Sequence, residues 1–208
     1  GQSLALISDA GLPGISDPGE KLVLEAKDKG HQVICIPGPC AATTALVSSG
    51  LPCNRFCFEG FLPSKGQSRT KLLSKIANEN RTTVIYESPH RLIHLLKELK
   101  QSCGEERPLQ VARELTKLHE QQIGSTIGEA LKYFAENKPL GEFTLVLGGA
   151  PEQLSLQLTH TELIEEMQIL IKNGASTNDA AREIARRFGQ SKRVLYSLLH
   201  QIGGKDGH

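Results

Sequence analysis

Residues 8–19 of the chain read SDAGLPGISDPG, and this stretch decides how the fold is interpreted. It follows the apolar residues 4–7 and precedes a helical pattern that begins at Glu20. Its three glycines and two prolines define one loop path, because glycine permits positive φ and proline fixes φ. A buried strand that opens into such a loop and then a helix is how α/β proteins present backbone groups to a ligand. A tight strand–helix connection without a ligand is the alternative for one such loop taken alone.

The composition of the chain restricts the classes of function that it supports. Its 208 residues can bury a sizeable core, and a net charge of +1 does not indicate nucleic-acid binding by global charge. No apolar run reaches membrane-spanning length and no signal peptide is evident, so we expect a soluble cytoplasmic protein without membrane contact. The five cysteines lack paired metal-ligand spacing, which predicts reduced thiols and no metal site.

Apolar runs and helical periodicities alternate along residues 1–150, which predicts an α/β layer structure. The predicted strands are residues 4–8, 32–36, 55–59, 82–87, 109–114 and 142–147. The clearest helical patterns start at Leu92 and Ile127, each with apolar residues spaced i, i+3, i+4, i+7. Ser88 and Pro89 suit the N-cap and first position of a helix. A change of pattern near residue 55 suggests two α/β halves, residues 1–54 and 55–150.

Residues 158–203 form a separate predicted unit of three helices that resembles a helix-turn-helix. The helical patterns cover residues 163–171, 181–188 and 195–202, and Ser176 or Thr177 is expected to cap the second helix. Cations crowd the surface of this unit at Arg182, Arg186, Arg187, Lys192 and Arg193. They indicate either a solvated helix face or a patch that contacts nucleic-acid phosphates.

Three further loops carry unusual chemistry where a predicted strand ends. They are IPGPCAA at residues 36–42, YESPHR at 86–91 and RELTKLHE at 113–120. Open α/β sheets bind ligands at the carboxyl ends of their strands, so four such loops favour a ligand site over four ligand-free connections. A fifth segment with Lys65, Arg69, Lys71 and Lys75 indicates a second RNA surface or, equally, a solvated helix face.

Five ordered motifs give the chain a family resemblance. They are SDAGLPGISDPG, IPGPCAATTAL, FEGFLPSKG, YESPHRL and ARELTKLHE, which lie between residues 8 and 120, and the resemblance runs through residues 4–149. The chain resembles the tetrapyrrole methylase superfamily, and within it the bacterial enzymes that methylate the ribose 2′-hydroxyl of a cytidine in 16S ribosomal RNA. The resemblance implies S-adenosylmethionine (SAM) as methyl donor, held in a cleft between two α/β halves, usually in a homodimer, with the small ribosomal subunit as partner.

The resemblance also implies which residues contact the donor. They come from the loops after the predicted strands: Asp9, Ala10, Gly11, Pro13, Ile15, Gly38, Cys40, Ala41, Tyr86 and Leu115. Physical reasoning agrees, because SAM needs close backbone approach, an apolar slot for adenine and little positive charge near its sulfonium. Asp9 or Asp17 could meet the amino group of the donor, although Asp commonly caps its own turn, which we favour for Asp17.

Methyl transfer to a ribose hydroxyl requires in-line placement and loss of the hydroxyl proton. The catalytic candidates are Glu87, His90, Lys117 and Glu120. A lone histidine at a helix start more often caps or packs, and Lys117 suits a phosphate or transition-state contact. Glu114 and Glu120 could instead both belong to a structural set of salt bridges, and the sequence does not choose between these roles.

The sequence is also compatible with other functions. Family members begin with an additional strand and a Gly-rich loop before the SDAG motif, so we expect a chain that is truncated at its N-terminus, with an incomplete first half. An inactive RNA-binding remnant is therefore one alternative. A methylase acting on a tetrapyrrole carbon is another, against which the basic C-terminal unit and YESPHR argue. A nicotinamide enzyme is weaker, because no G-x-G-x-x-G follows a strand.

Overall fold

A computed structural model describes residues 1–151 and 160–188, together with Val194, Leu195, Ser197 and Leu198. The chain divides into two compact units, Gly1–Pro151 and Glu152–His208. Most of the third predicted helix (195–202), Lys192, Arg193, and the side chains of Arg186 and Arg187 lie outside the described residues. The predicted division near residue 55 stays a prediction.

The first unit contains a five-stranded sheet in the order β1-β2-β5-β3-β4. Its strands are β1 (Phe56–Phe61), β2 (Thr82–Glu87), β3 (Leu109–Arg113), β4 (Gln121–Ile123) and β5 (Phe143–Leu147). Strands β1 and β2 are parallel, whereas β5 runs antiparallel to both β2 and β3, and β4 runs antiparallel to β3. The carboxyl ends of β1, β2 and β3 therefore lie at the same edge of the sheet as the amino end of β5.

Helices cover both faces of this sheet, which confirms the predicted α/β class. The helices of the first unit are α1 (Glu20–Asp28), α2 (Ala41–Ser48), α3 (Gln67–Asn78), α4 (Pro89–Cys103) and α5 (Ile127–Glu136). On one face, α3, α4 and α5 pack against alternate residues of the central strand β5, including Leu145 and Leu147. On the other face, α2 packs against Val146 of β5 and Val84 of β2.

Four of the six predicted strands are confirmed, and the predictions at residues 4–8 and 32–36 are wrong. Residues 1–8 and 31–40 have no regular secondary structure, and Ile7 and Ile36 are largely exposed. Within the described residues, no backbone hydrogen bond joins residues 4–8 to another segment. A strand is stable only when its backbone donors and acceptors are paired, so an apolar run alone does not make one.

The second unit contains α6 (His160–Lys172) and α7 (Thr177–Phe188). Its core consists of apolar residues from both helices and from the described residues beyond them: Leu163, Met167, Ala181, Ile184, Leu195 and Leu198. The predicted cap at the start of α7 is confirmed, because the Ser176 hydroxyl accepts a hydrogen bond from the Asp179 N–H at 3.1 Å. Arg182 is exposed and pairs with Asp179 at 3.4 Å. Across the helices that the structure describes, none combines the length and apolar character that a membrane span requires.

Candidate functional site

A cleft of about 590 Å³ lies at the edge of the sheet where β1 and β2 end. It has the size typical of small-molecule sites. Four segments line it: residues 6–18, residues 39–41, the ends of β1 and β2 with the start of α4, and the start of β5. Its floor at the sheet is formed by Phe61, Tyr86, Glu87, Phe143 and Thr144.

The SDAG loop (residues 8–19) is held against the segment that precedes α2. The Leu12 N–H donates to the Pro39 carbonyl at 2.8 Å. Gly11 has φ +71°, and a Cβ at this position would lie 2.5 Å from the Pro39 oxygen. Only glycine fits there without displacing the backbone, so Gly11 sets the approach of the two loops.

The same loop also meets the edge strand of the sheet. Strand β1 has a register shift between Phe58 and Gly60, and Gly60 adopts φ +59°. A Cβ on Gly60 would lie 3.0 Å from the Ser16 hydroxyl oxygen, and Ser16 itself has a positive φ of 55°. A non-glycine residue with positive φ, such as Ser16, is strained, and strain of this kind is concentrated at functional sites, where surrounding contacts hold it in place.

Tyr86 joins the sheet to the start of α2. Its phenol oxygen accepts a hydrogen bond from the Ala42 N–H at 3.0 Å and lies 4.0 Å from the Cys40 sulfur. Burial, followed by the nearby Cys40, raises the pKa of Tyr86 to about 12, so the phenol stays neutral. Burial also raises the pKa of Cys40, but the Thr43 and Ala42 N–H groups and Tyr86 outweigh it and leave that pKa below its ordinary value.

Glu87 is the most deeply buried charged group of the cleft, with a side chain that is 0% exposed. Its Oε1 accepts a hydrogen bond from the Ser88 N–H at 2.9 Å. Its Oε2 lies 3.2 Å from Nη2 of Arg91, yet it accepts no hydrogen bond within the described structure. Buried polar atoms are nearly always hydrogen-bonded, so an unsatisfied one in a cleft indicates a place for a ligand donor.

The charges lining the cleft have one sign. Its carboxylates are Asp9, Asp17, Glu87 and Glu142, and no Lys, Arg or His is among the described residues that line it. The remaining lining is largely apolar, including Ala10, Ile15, Ala41 and Phe143. Such a cleft suits a cationic ligand with an apolar body and disfavours an anion at its floor.

The other predicted catalytic residues lie outside the lining. His90 is exposed on the first turn of α4, next to Pro89, which does line the cleft. Lys117 pairs with Glu114 at 3.2 Å and with Glu142 at 3.4 Å. Glu120 accepts a hydrogen bond from the Thr116 N–H at 2.7 Å and so closes its own loop.

The loop that holds Lys117 and Glu120 has an unusual backbone. Glu114 and Thr116 both have positive φ, at 50° and 65°. The Glu142 N–H, followed by Lys117, lowers the pKa of Glu114 and keeps its carboxylate ionised. The loop is therefore fastened to the residue that precedes β5, at the rim of the cleft.

The structure brings together part of the predicted donor site. Asp9, Ala10, Ile15, Cys40, Ala41 and Tyr86 line the cleft. Gly11, Pro13, Gly38 and Leu115 do not, although Gly11 sits beneath the loop contact and Leu115 packs beside α2. Sequence reasoning missed Phe61, Phe143 and Thr144. The FEGFLP motif could have indicated Phe61. The expectation that ligands bind at the carboxyl ends of strands does not indicate Phe143 and Thr144, because they lie at the start of an antiparallel strand.

The basic segment of residues 65–75 is only partly a free cationic surface. Arg69 is buried, and its guanidinium pairs with Glu98 and donates to the Pro63 carbonyl at 2.7 Å. Lys75 pairs with Glu59 at 3.1 Å. Lys65 and Lys71 are exposed, and the structure shows no ion pair for them among its described residues. Arg69 therefore has a structural role.

Comparisons with known proteins agree with this geometry. Residues 1–131 match the family described as Tetrapyrrole (Corrin/Porphyrin) Methylases. A Synechocystis sp. protein named "Ribosomal RNA small subunit methyltransferase I" is 46% identical over 202 residues, which are 97% of this chain and 72% of that protein. A Mycobacterium tuberculosis protein of the same name is 42% identical over 208 residues, which are 100% of this chain and 71% of that protein.

A solved structure supports the fold. The methyltransferase CobJ aligns with a TM-score of 0.52 and 22% sequence identity, over 67% of this chain and 62% of CobJ. The chain thus spans less than two thirds of that structure. At this level of identity the likeness concerns the fold of the matched residues.

Proposed function

The chain belongs to the tetrapyrrole methylase family, and we propose from this membership that it transfers a methyl group from SAM to ribosomal RNA of the small subunit. Its relatives at 42–46% identity carry the name ribosomal RNA small subunit methyltransferase I. In line with the sequence motifs, the acceptor we propose is the ribose 2′-hydroxyl of a cytidine in 16S rRNA. The structural observation that carries the proposal is the buried Glu87 carboxylate, with one unsatisfied oxygen, in an acidic and otherwise apolar cleft.

The residues of the cleft fit a cationic methyl donor. SAM, when bound, supplies an electrophilic methyl group on a positively charged sulfur. Ala10, Ile15 and Ala41 offer an apolar surface for the nucleoside part, and the small side chains of Ala10 and Ala41 leave the loop backbone accessible. Asp9 offers a carboxylate for the amino group of the donor. The absence of cations among the described lining residues avoids repulsion of the sulfonium.

Glu87 is the residue that we assign to proton removal. Glu87 lines the cleft, and its buried Oε2, which accepts no hydrogen bond within the described structure, can take the proton of a hydroxyl that reaches it. The Ser88 N–H and the Arg91 guanidinium fix the orientation of the carboxylate. His90, Lys117 and Glu120 remain candidates for contacts with the RNA at the rim.

Two properties of these residues would accelerate methyl transfer. Holding the acceptor in line contributes roughly 7–11 kcal/mol in favourable cases, and a general base contributes about 10²–10⁴-fold. The loop contacts of Gly11 and Gly60 restrict the wall that faces Glu87, which supports such positioning.

We also propose that the chain works in the cytoplasm as a homodimer. Light scattering tests the homodimer, for which it should give a mass twice that of one chain.

The test supplies two acceptors to the purified chain. Radiolabelled SAM is incubated with small ribosomal subunits that lack the modification and, separately, with a porphyrinogen. We expect label in 16S rRNA, on a ribose that resists alkaline cleavage at its 3′ side because the 2′-hydroxyl is blocked. Label in the porphyrinogen would instead favour a carbon methylase. Absence of both transfer and donor binding by calorimetry, with RNA binding retained, would favour an RNA-binding remnant.

A further inference from the structure

Phe61 is an exposed aromatic residue inside the cleft. It is the last residue of β1, lines the cleft, and has 54% of its surface exposed. The next residue, Leu62, is buried to 2% exposure in the main core. The chain has no Trp and only six Phe, so a large apolar ring left open at this position is not explained by core packing.

Two arginines fix the backbone immediately after Phe61. Nη2 of Arg91 donates to the Leu62 carbonyl at 2.7 Å, and Nη1 of Arg69 donates to the Pro63 carbonyl at the same distance. Arg69 is itself buried and paired with Glu98, while Arg91 pairs with Glu87. The position of Phe61 is therefore coupled to the proposed catalytic carboxylate through Arg91. A ring on a fixed backbone loses little conformational entropy when a ligand binds.

Neighbouring aromatic rings support Phe61 from within the molecule. The Phe61 and Tyr86 ring centroids are 5.6 Å apart, and Phe58 contacts Tyr86 edgewise at 5.0 Å. Tyr86 is held in turn by the hydrogen bond from Ala42. These contacts leave more than half of the Phe61 surface open, which is the requirement for stacking with a planar ligand.

We propose that Phe61 stacks with the nucleobase of the RNA nucleotide whose ribose is methylated, and this inference rests on the proposed function. Proteins that recognise RNA by sequence stack its unpaired bases on aromatic side chains, and enzymes that do chemistry on a base extrude it and stack it in the same way. Lys65 is exposed and lies four residues after Phe61, so it offers a cation for a flanking phosphate. Lys65 does not line the cleft, whose acidic floor would repel that phosphate. The adenine of the donor is the competing planar group, and the experiment separates the two.

The experiment compares Phe61→Leu, Phe61→Trp and the control Phe56→Leu. Phe56 lies on the same strand and is 37% exposed but does not line the cleft. With unmethylated small subunits as substrate, Phe61→Leu should raise KM for the subunit about tenfold or more, the scale of one lost base–aromatic stack. Phe61→Trp and Phe56→Leu should keep KM within about twofold. The Kd of SAM, measured by calorimetry, should be the same in all four proteins.

Other results of this experiment would overturn the inference or the proposed function. A weaker Kd for SAM in Phe61→Leu with an unchanged KM for the subunit would assign the ring to the adenine of the donor and overturn the inference. An unchanged KM and Kd would overturn it as well, provided that the wild type is active. A wild type that does not methylate small subunits would refute the proposed function itself. Thermal melts of the variants test for misfolding, and Phe61→Trp, which keeps an aromatic ring, supplies the second readout.

Discussion

Residues 1–40 and residues 56–147 contain similar apolar runs, but these runs are exposed in the first region and buried in paired strands in the second. In the second region, Val84 and Val146 are 0% exposed on paired strands. In the first, Leu4 and Ile7 are 79% and 85% exposed, and α1 has no buried residue. The difference shows that an apolar run is compatible with a strand, but that the strand forms only where neighbouring strands pair with its backbone by hydrogen bonds.

The cleft takes one wall from each region. The sheet region supplies Tyr86, Glu87 and Phe61 on paired strands, whereas the first region supplies the loop at residues 8–19 and the segment that leads into α2, with Pro39 and Cys40. The two walls are joined at few places, among them the Tyr86–Ala42 hydrogen bond and the close approach of Ser16 to Gly60. We infer that the sheet wall carries the chemistry, because it supplies the buried Glu87 carboxylate, and that the loop wall binds the donor.

The largest effect should come from the sheet wall. Glu87→Gln keeps the size of the side chain and removes its basic oxygen, so we expect kcat to fall about 10²–10⁴-fold in the small-subunit assay. The matched variant Glu120→Gln changes a carboxylate that closes a loop outside the cleft lining, and its kcat should fall far less.

Two results would contradict the assignment of Glu87. If Glu120→Gln lost as much kcat as Glu87→Gln, the chemistry would belong to the rim loop rather than to the sheet wall. If Glu87→Gln kept full kcat but bound SAM weakly, Glu87 would be a binding group for the donor. Calorimetry with SAM on both variants separates these results.

A second prediction compares one substitution in the two regions. Leu95→Ala removes a fully buried side chain of the main core, and the cavity should lower the free energy of unfolding by about 2–5 kcal/mol. Leu4→Ala removes an exposed side chain and should change it by less than about 0.5 kcal/mol. Urea denaturation followed by circular dichroism measures both. An equal cost would show that residues 1–8 are packed in solution.

The sequence predicted most of the sheet because its strands are long and apolar. Residues 82–87 were predicted with the bounds that β2 has, while β4 was missed because Gln121–Ile123 is short and mostly polar. The strands predicted at 4–8 and 32–36 failed because periodicity carries no information about pairing partners.

The site was predicted in part for a related reason. The YESPHR motif pointed to Tyr86 and Glu87, since both end a parallel strand. Phe143 and Thr144 were not found, because the antiparallel direction of β5 brings its amino end to the cleft. The unsatisfied oxygen of Glu87 depends on the exact position of Arg91, and no sequence pattern encodes that distance.

A third prediction concerns the hydrogen bond that joins the two walls. Tyr86→Phe removes the oxygen that accepts from the Ala42 N–H, so we expect the free energy of unfolding to fall by about 1 kcal/mol. Amide exchange at the start of α2 should accelerate at the same time. Tyr133→Phe is the matched control, since the structure shows no hydrogen bond from its hydroxyl among the described residues, and it should change stability by less than about 0.5 kcal/mol. Unchanged exchange in Tyr86→Phe would mean that α2 is held by its apolar contacts alone.

The smallest expected effect is a difference in thiol reactivity between the two walls. Cys40, at the start of α2, and Cys57, in β1, are both partly exposed, so access alone does not separate them. The Cys40 pKa is below its ordinary value, because the Thr43 and Ala42 N–H groups with Tyr86 outweigh burial of the sulfur. Burial, followed by Glu79, raises the pKa of Cys57.

The thiolate is the nucleophile, so at pH 7.5 iodoacetamide should modify Cys40 several-fold faster than Cys57, as peptide mapping by mass spectrometry would measure. As pH rises, the Cys40 rate should reach its half-maximum first, because its thiolate forms at lower pH. Saturating SAM should slow Cys40, which lines the cleft, and leave Cys57 unchanged. Protection of neither cysteine would place the donor away from the loop wall, and faster modification of Cys57 would contradict the hydrogen bonding at the start of α2. Cysteine modification therefore measures donor binding at the loop wall separately from catalysis, even in a variant such as Glu87→Gln that has lost activity.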